Sequence, residues 1–85
     1  MAKHLVIVKN NKNGRILDSF GMKQEGFAFF FQNSDGKWVN PAMTDGAMAV
    51  AFKMLLKDDD KFLWSSNIVF TKTKGKYTVE ARELL

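Results

Sequence analysis

The chain has 85 residues, and its 13 Lys plus Arg against 9 Asp plus Glu give a formal charge of +4. This length is typical of one small, moderately basic domain and excludes a large multidomain enzyme. Because 46% of the residues are hydrophobic and 13% are aromatic, a disordered chain is excluded, and the lack of cysteine excludes disulfide scaffolds and thiolate zinc sites. We therefore predict a single globular domain over residues 1–85.

The aromatic content also bears on the assembly state. Eight Phe, two Trp and one Tyr are many rings for a domain that buries only about 60–65% of its unfolded surface. We expect a second copy of the chain or a ligand to cover some of them, and a homodimer is the default expectation. No apolar run approaches the roughly 18 residues of a membrane span, and residues 1–9 lack a signal-peptide cleavage region, so we expect no membrane partner and a cytoplasmic location.

The first predicted element is a hairpin. Its strands are the β-branched run 4–9 and the run 15–20, and between them Asn13-Gly14 is the favoured pair of a type I′ turn. A two-residue turn at these positions also predicts the register. The expected facing pairs are Lys9 with Asp18 and Ile7 with Phe20.

A polar connection is predicted over 21–26, followed by a strand over Phe27–Phe31 that pairs with Trp38-Val39 in a shorter hairpin. Pro41 ends this hairpin because proline cannot donate to a strand ladder. Phe27, Phe29 and Phe31 should share one face, so Phe30 should lie on the other and could stack on an unpaired base. The alternatives for the Phe-rich strand are burial on both sides or a place in the dimer interface.

Apolar residues at helical spacing predict an α-helix over 47–56. Two starts are open: Asn40 as the cap with Pro41 in the first turn, or Thr44 as the cap with Asp45 in the first turn, and we favour Thr44. This helix is apolar around most of its circumference, which also favours a partner chain. Asp58–Asp60 should end it, and residues 61–64 fit either a strand or a helical turn.

A last hairpin is predicted over residues 67–82, with Lys74-Gly75 as its turn. This turn implies two facing pairs, Phe70 with Val79 and Ile68 with Ala81. It also gathers the apolar side chains on one face, namely Ile68, Phe70, Tyr77, Val79 and Ala81. The hairpins and the helix together predict an α+β fold, in which a mostly antiparallel sheet packs on a single α-helix.

Catalytic chemistry is poorly supplied. The one histidine, His4, has no identifiable orienting partner, and no serine has the context of a nucleophile elbow. Asp58–Asp60 are three successive carboxylates that cannot all converge on one Mg²⁺, and the glycines match no phosphate-binding fingerprint. We predict that the chain is not an enzyme and that it needs no metal or other cofactor.

Lysine placement is the most informative feature of the sequence. Lys72, Lys74 and Lys76 lie at the tip of the last hairpin beside Tyr77, and the tip of the first hairpin carries Lys12 and Arg15 among asparagines. Ammonium groups beside hydroxyl and amide groups are typical of phosphate recognition, and Tyr77 would be available for stacking. The alternative is that charged tips only keep the sheet soluble.

In size, basic charge, absence of cysteine, hairpin–helix–hairpin order and basic tips over 9–15 and 72–76, the chain resembles small proteins that tailed phages encode to disarm host enzymes. Within that group it is similar to the TifA proteins of T-even-type phages, which inhibit the ToxN endoribonuclease toxin and bind RNA. The resemblance implies a phage protein that acts as an antitoxin, with RNA and a host ribonuclease toxin as its partners.

Two functional hypotheses follow. The first is a non-enzymatic, homodimeric RNA-binding inhibitor, in which the tip residues contact phosphates with little sequence specificity. The second is a module that binds only protein, docking on a host protein through the helix over 47–56 or the strand Phe27–Phe31.

Overall fold

Six strands form one antiparallel sheet in the computed structural model, which describes residues 3–26, 28–57 and 69–84. Across the sheet the strand order is β4-β3-β2-β1-β6-β5. The strands are β1 Lys3–Asn10, β2 Ile16–Glu25, β3 Ala28–Gln32, β4 Trp38–Val39, β5 Val69–Lys74 and β6 Tyr77–Leu84. A 3₁₀ turn, Pro41–Met43, precedes helix α1, Gly46–Phe52, which continues as a π-helical segment, Lys53–Lys57. The predicted α+β fold is confirmed.

Helix α1 packs on one face of the sheet, which we call the helix face; the other is the open face. Period-two alternation places Val6 and Val8 of β1 on the helix face, whereas Leu5 and Ile7 lie on the open face. The buried core consists of Val6, Val8, Phe20, Met22, Phe31, Ala51, Met54, Leu55, Val79 and Ala81. The rings of Phe20 and Phe31 lie 4.8 Å apart at its centre.

The predicted register of the first hairpin is wrong by one residue. Phe20 faces Val6, not Ile7, and a bulge follows Val8, so that Lys9 faces Ile16. The reason is that the loop is longer than the two residues Asn13 and Gly14. The side-chain oxygens of Asn10 and Asn13 accept hydrogen bonds from the backbone N–H groups of Lys12 and Arg15 at 2.8 and 2.9 Å, and these Asx turns stabilise the longer connection.

The polar connection predicted over 21–26 is also wrong, because β2 continues through Gly21 to Glu25. Gly21 is a strand residue over which other side chains pass closely. A Cβ at this position would lie 3.1 Å from Gln32 Oε1 and 3.4 Å from Trp38 Cη2. The predicted pairing of the Phe-rich strand with Trp38-Val39 is confirmed, and Phe27 lies outside the described residues.

Thr44 is not the helix cap. Asn40 caps the 3₁₀ turn instead, since its side-chain oxygen accepts a hydrogen bond from the Ala42 N–H at 3.0 Å and Pro41 takes the first position. Thr44 ends this 3₁₀ turn, with its hydroxyl donating back to the Pro41 carbonyl at 2.6 Å, and Asp45 is the residue that precedes the helix beginning at Gly46. The predictions for Asp58–Asp60 and 61–64 fall outside the described residues.

The last hairpin turns at Gly75-Lys76, one residue later than predicted. Gly75, with φ of 59°, provides the positive φ that a type II′ turn needs at its first central position. The facing pairs are therefore Phe70 with Ala81 and Lys72 with Val79. Because this register differs from the predicted one by two residues, the faces are unchanged, and Phe70, Tyr77, Val79 and Ala81 share the helix face as predicted. Ile68 lies outside the described residues.

His4 makes the stability of this fold dependent on pH. Burial lowers the pKa of His4 below its ordinary value of 6.5, and the nearby Glu83 carboxylate only partly opposes the shift. A folded state that resists protonation loses stability as the pH falls below 6.5 and through the lowered pKa. We expect the urea midpoint to fall between pH 7.5 and pH 5.5, and to fall less in His4→Gln. An equal decline in both proteins would contradict this assignment.

Candidate nucleic-acid interface

The strand order places the two basic hairpin tips side by side. Since β1 lies between β2 and β6, the loop after β1 and the loop before β6 emerge at the same end of the sheet. The Asn11 N–H donates to the Lys76 carbonyl at 2.7 Å, and Asn11 Nδ2 donates to the Gly75 carbonyl at 3.1 Å. We call the joined loops, residues 10–15 and 75–76, the double tip.

The side-chain oxygen of Asn11 also accepts a hydrogen bond. Thr78 Oγ1 donates to Asn11 Oδ1 at 3.3 Å, and the Thr73 and Thr78 hydroxyls lie 3.0 Å apart. A polar row therefore runs from β5 across β6 to the first loop. Local sequence patterns do not predict this role of Asn11, because it depends on a neighbour 64 residues away.

Three cations project from the double tip. The side chains of Lys12, Arg15 and Lys76 are exposed, and within residues 3–26, 28–57 and 69–84 no carboxylate lies within salt-bridge distance of them. A surface depression of about 370 Å³ lies between the two loops, and Lys12 and Lys76 contribute to its lining. Three cations near one another without acidic partners make this end of the sheet electropositive.

The other predicted site residues lie on the helix face. Lys72 is half-buried, and its Nζ donates to the Met54 carbonyl at 3.2 Å, near the end of the helix. Lys74 and Tyr77 line a second depression of about 220 Å³ together with Met54, and the Tyr77 ring packs against the core. The structure thus brings Lys12, Arg15 and Lys76 together and separates Lys72, Lys74 and Tyr77 from them.

Three cations on the open face, Lys9, Lys23 and Arg82, differ from those of the double tip because each lies beside a carboxylate. Glu80 lies 2.8 Å from Arg82 and 3.7 Å from Lys9, and Lys23 lies 2.9 Å from Glu25. The hydrogen bond from Arg82, helped by the charges of Arg82 and Lys9, lowers the pKa of the Glu80 carboxyl despite its partial burial. Glu80 therefore stays ionised near neutral pH and holds its two partners in place.

Two aromatic rings lie on the open face beside Lys23. The Lys23 Nζ lies 4.7 Å from the centroid of the Trp38 ring and 5.6 Å from that of the Phe30 ring. Both distances are within the range of cation–π contacts. Phe30 thus lies opposite the buried Phe31, as the alternation predicted.

Within the part of the chain that the structure describes, no group of three His, Asp or Glu side chains could hold a metal ion. No described helix is long and apolar enough to cross a membrane. Comparisons of the chain with protein-family models, with curated proteins and with solved structures give no match. Its function must therefore be inferred from its own residues.

Proposed function

We propose that this chain is a non-enzymatic RNA-binding protein that holds the RNA backbone at the double tip. The observation that supports the proposal is the hydrogen bond from Asn11 N–H to the Lys76 carbonyl, which joins two loops far apart in sequence. It gathers Lys12, Arg15 and Lys76 into one cationic surface. A cationic surface of this kind favours a polyanion over a single small anion.

Polar groups beside the cations fit a nucleic-acid backbone. The side-chain amides of Asn10 and Asn13 lie at the same end of the sheet; their oxygens accept from backbone N–H groups, and their Nδ2 groups can donate to a ligand. Such groups hydrogen-bond phosphate oxygens and the ribose 2′-hydroxyl, which distinguishes RNA from DNA. Because such contacts are made to the backbone, we expect binding that is weakly specific for sequence.

The resemblance to TifA proteins extends the proposal to a cellular role. The chain would act in the host cytoplasm as a homodimeric inhibitor of a ribonuclease toxin, held with the toxin on a shared RNA. Addition of the purified protein should then slow RNA cleavage by a ToxN-type endoribonuclease, and light scattering of the free protein should give the mass of two chains.

A salt titration tests RNA binding directly. Three phosphate contacts on a single strand predict that log affinity falls with log salt with a slope of about −2, since each contact contributes about −0.7. Fluorescence anisotropy of a labelled 12-nucleotide RNA between 50 and 300 mM NaCl measures the slope. Binding whose strength ignores salt, or no binding at 50 mM, would refute the proposal.

A protein-binding role is the second candidate, and one feature of the helix side favours it. Phe29, Phe52 and Leu56 contribute to a depression of about 420 Å³ between β3 and the helix. Met43 nearby is 85% exposed. Exposed apolar surface of this kind is typical of protein contacts. In that role, charge at Phe52 would abolish partner binding, whereas loss of the double-tip cations would leave it unchanged.

A further inference from the structure

The Trp38, Phe30 and Lys23 side chains form a cluster on the open face, which we call the ring cluster. Trp38 extends from β4 across the sheet until its Cη2 approaches Gly21 of β2. The three side chains are partly exposed, and no described helix packs on this face. The cluster thus presents aromatic surface on the open face of the sheet.

Lys23 positions the rings and is poorly suited to bind phosphate. Its Nζ is paired with Glu25 Oε1 at 2.9 Å and lies over both rings, and its side chain is only 17% exposed. The ammonium and the missing Cβ of Gly21 together hold the Trp38 indole close to the sheet. A ligand at the ring cluster would therefore interact with ring surface and would release few counterions.

The charge of the open face indicates which ligand fits. Among the described strands, the cations of this face are Lys3, Lys9, Lys23 and Arg82, and its carboxylates are Glu25 and Glu80, so 4 − 2 gives +2. The adjoining double tip adds Lys12, Arg15 and Lys76 without a carboxylate. Aromatic surface within a positive field is complementary to a polyanion that also carries flat apolar groups, which describes an unpaired nucleic-acid strand.

We infer that the ring cluster stacks an unpaired base of the same RNA strand whose phosphates bind the double tip. This inference rests on the proposed function. From Asn10 to the level of Leu5, which faces Gly21, β1 covers five residues, or about 17 Å at 3.4 Å per residue. That distance is spanned by about five nucleotides with a stacked rise of 3.4 Å. Bases in a duplex cannot offer their faces, so the site selects single-stranded RNA.

The test compares Trp38→Leu with the ring-preserving Trp38→Phe on two probes, a 12-nucleotide RNA and inorganic polyphosphate. If a base stacks on the Trp38 ring, we expect RNA affinity to fall roughly 10-fold in Trp38→Leu and by less in Trp38→Phe. The slope of log affinity against log salt should stay unchanged in both, because no cation is removed. Both variants should bind polyphosphate, which has no bases, with the same affinity as the unaltered protein.

Equal RNA affinity in Trp38→Leu and the unaltered protein would overturn the ring cluster while leaving the double tip intact. A parallel loss of RNA and polyphosphate affinity would also overturn it, because the substitution would then act through the fold. Failure of the unaltered protein to bind either probe would refute the proposed function itself. If circular dichroism shows that Trp38→Leu is unfolded, Phe30→Leu provides the same comparison on the neighbouring ring.

Discussion

Replacing Lys12, Arg15 and Lys76 together by Gln is expected to lower RNA affinity about 100-fold at 0.1 M salt. Each phosphate contact contributes about −0.7 to the slope of log affinity against log salt. Three contacts therefore raise the affinity at 0.1 M salt by about two orders of magnitude relative to 1 M salt, and the triple variant loses this gain. The slope of log affinity against log salt should become shallower, from about −2 towards zero. Fluorescence anisotropy with a 12-nucleotide RNA measures both quantities.

The matched control replaces Lys37, Lys53 and Lys57 by Gln. These lysines are also exposed, and the substitution removes the same three charges, but none of them belongs to the double tip. We expect less than a five-fold loss of affinity, because only the long-range field changes at this ionic strength. Equal losses in the two triple variants would show that total charge, and not the double tip, determines binding.

Phe31→Ala is expected to lower the free energy of unfolding by about 3–5 kcal/mol. The Phe31 side chain is fully buried and its ring contacts Phe20, so truncation removes apolar contacts and leaves a cavity at the centre of the core. A loss of this size is a large part of the stability of a domain this small. Urea denaturation followed by circular dichroism measures it.

Phe30→Ala is the control for this prediction, because the same residue type is truncated one position away on the open face. Phe30 is only partly buried and contacts the Lys23 ammonium, so we expect a loss of about 1 kcal/mol or less. If Phe30→Ala destabilised the protein more than Phe31→Ala, the assignment of helix face and open face would be reversed.

Local patterns in the sequence predicted the hairpins, the helix and the faces of the last two strands. Register was harder to predict. In the first hairpin, the Asn13-Gly14 pair predicts a two-residue turn. The hydrogen bonds that the Asn10 and Asn13 side chains accept favour a wider loop, and they leave no periodic signal in the sequence. The sequence predicts a connection at Gly21 because the role of this glycine in the strand depends on Trp38, which reaches it from across the sheet.

The candidate site shows the same division between local and long-range information. Lys72 and Lys74 have the same strand parity as Phe70, so the predicted apolar face already indicated that they lie on the helix side. Nearness in sequence to Lys76 obscured that signal. The joining of the two loops through Asn11 was beyond prediction, because it requires β1 to pair with β6 across the length of the chain.

We propose that both loops of the double tip bind one RNA strand together. An NMR titration of ¹⁵N-labelled protein with a 12-nucleotide RNA tests this for each loop separately. We expect the amide signals of Asn11, Lys12, Gly75 and Lys76 to shift along a single binding curve, while those of Ala47 and Ala49 in the helix stay in place. Shifts confined to the helix, or to one loop without the other, would contradict the claim.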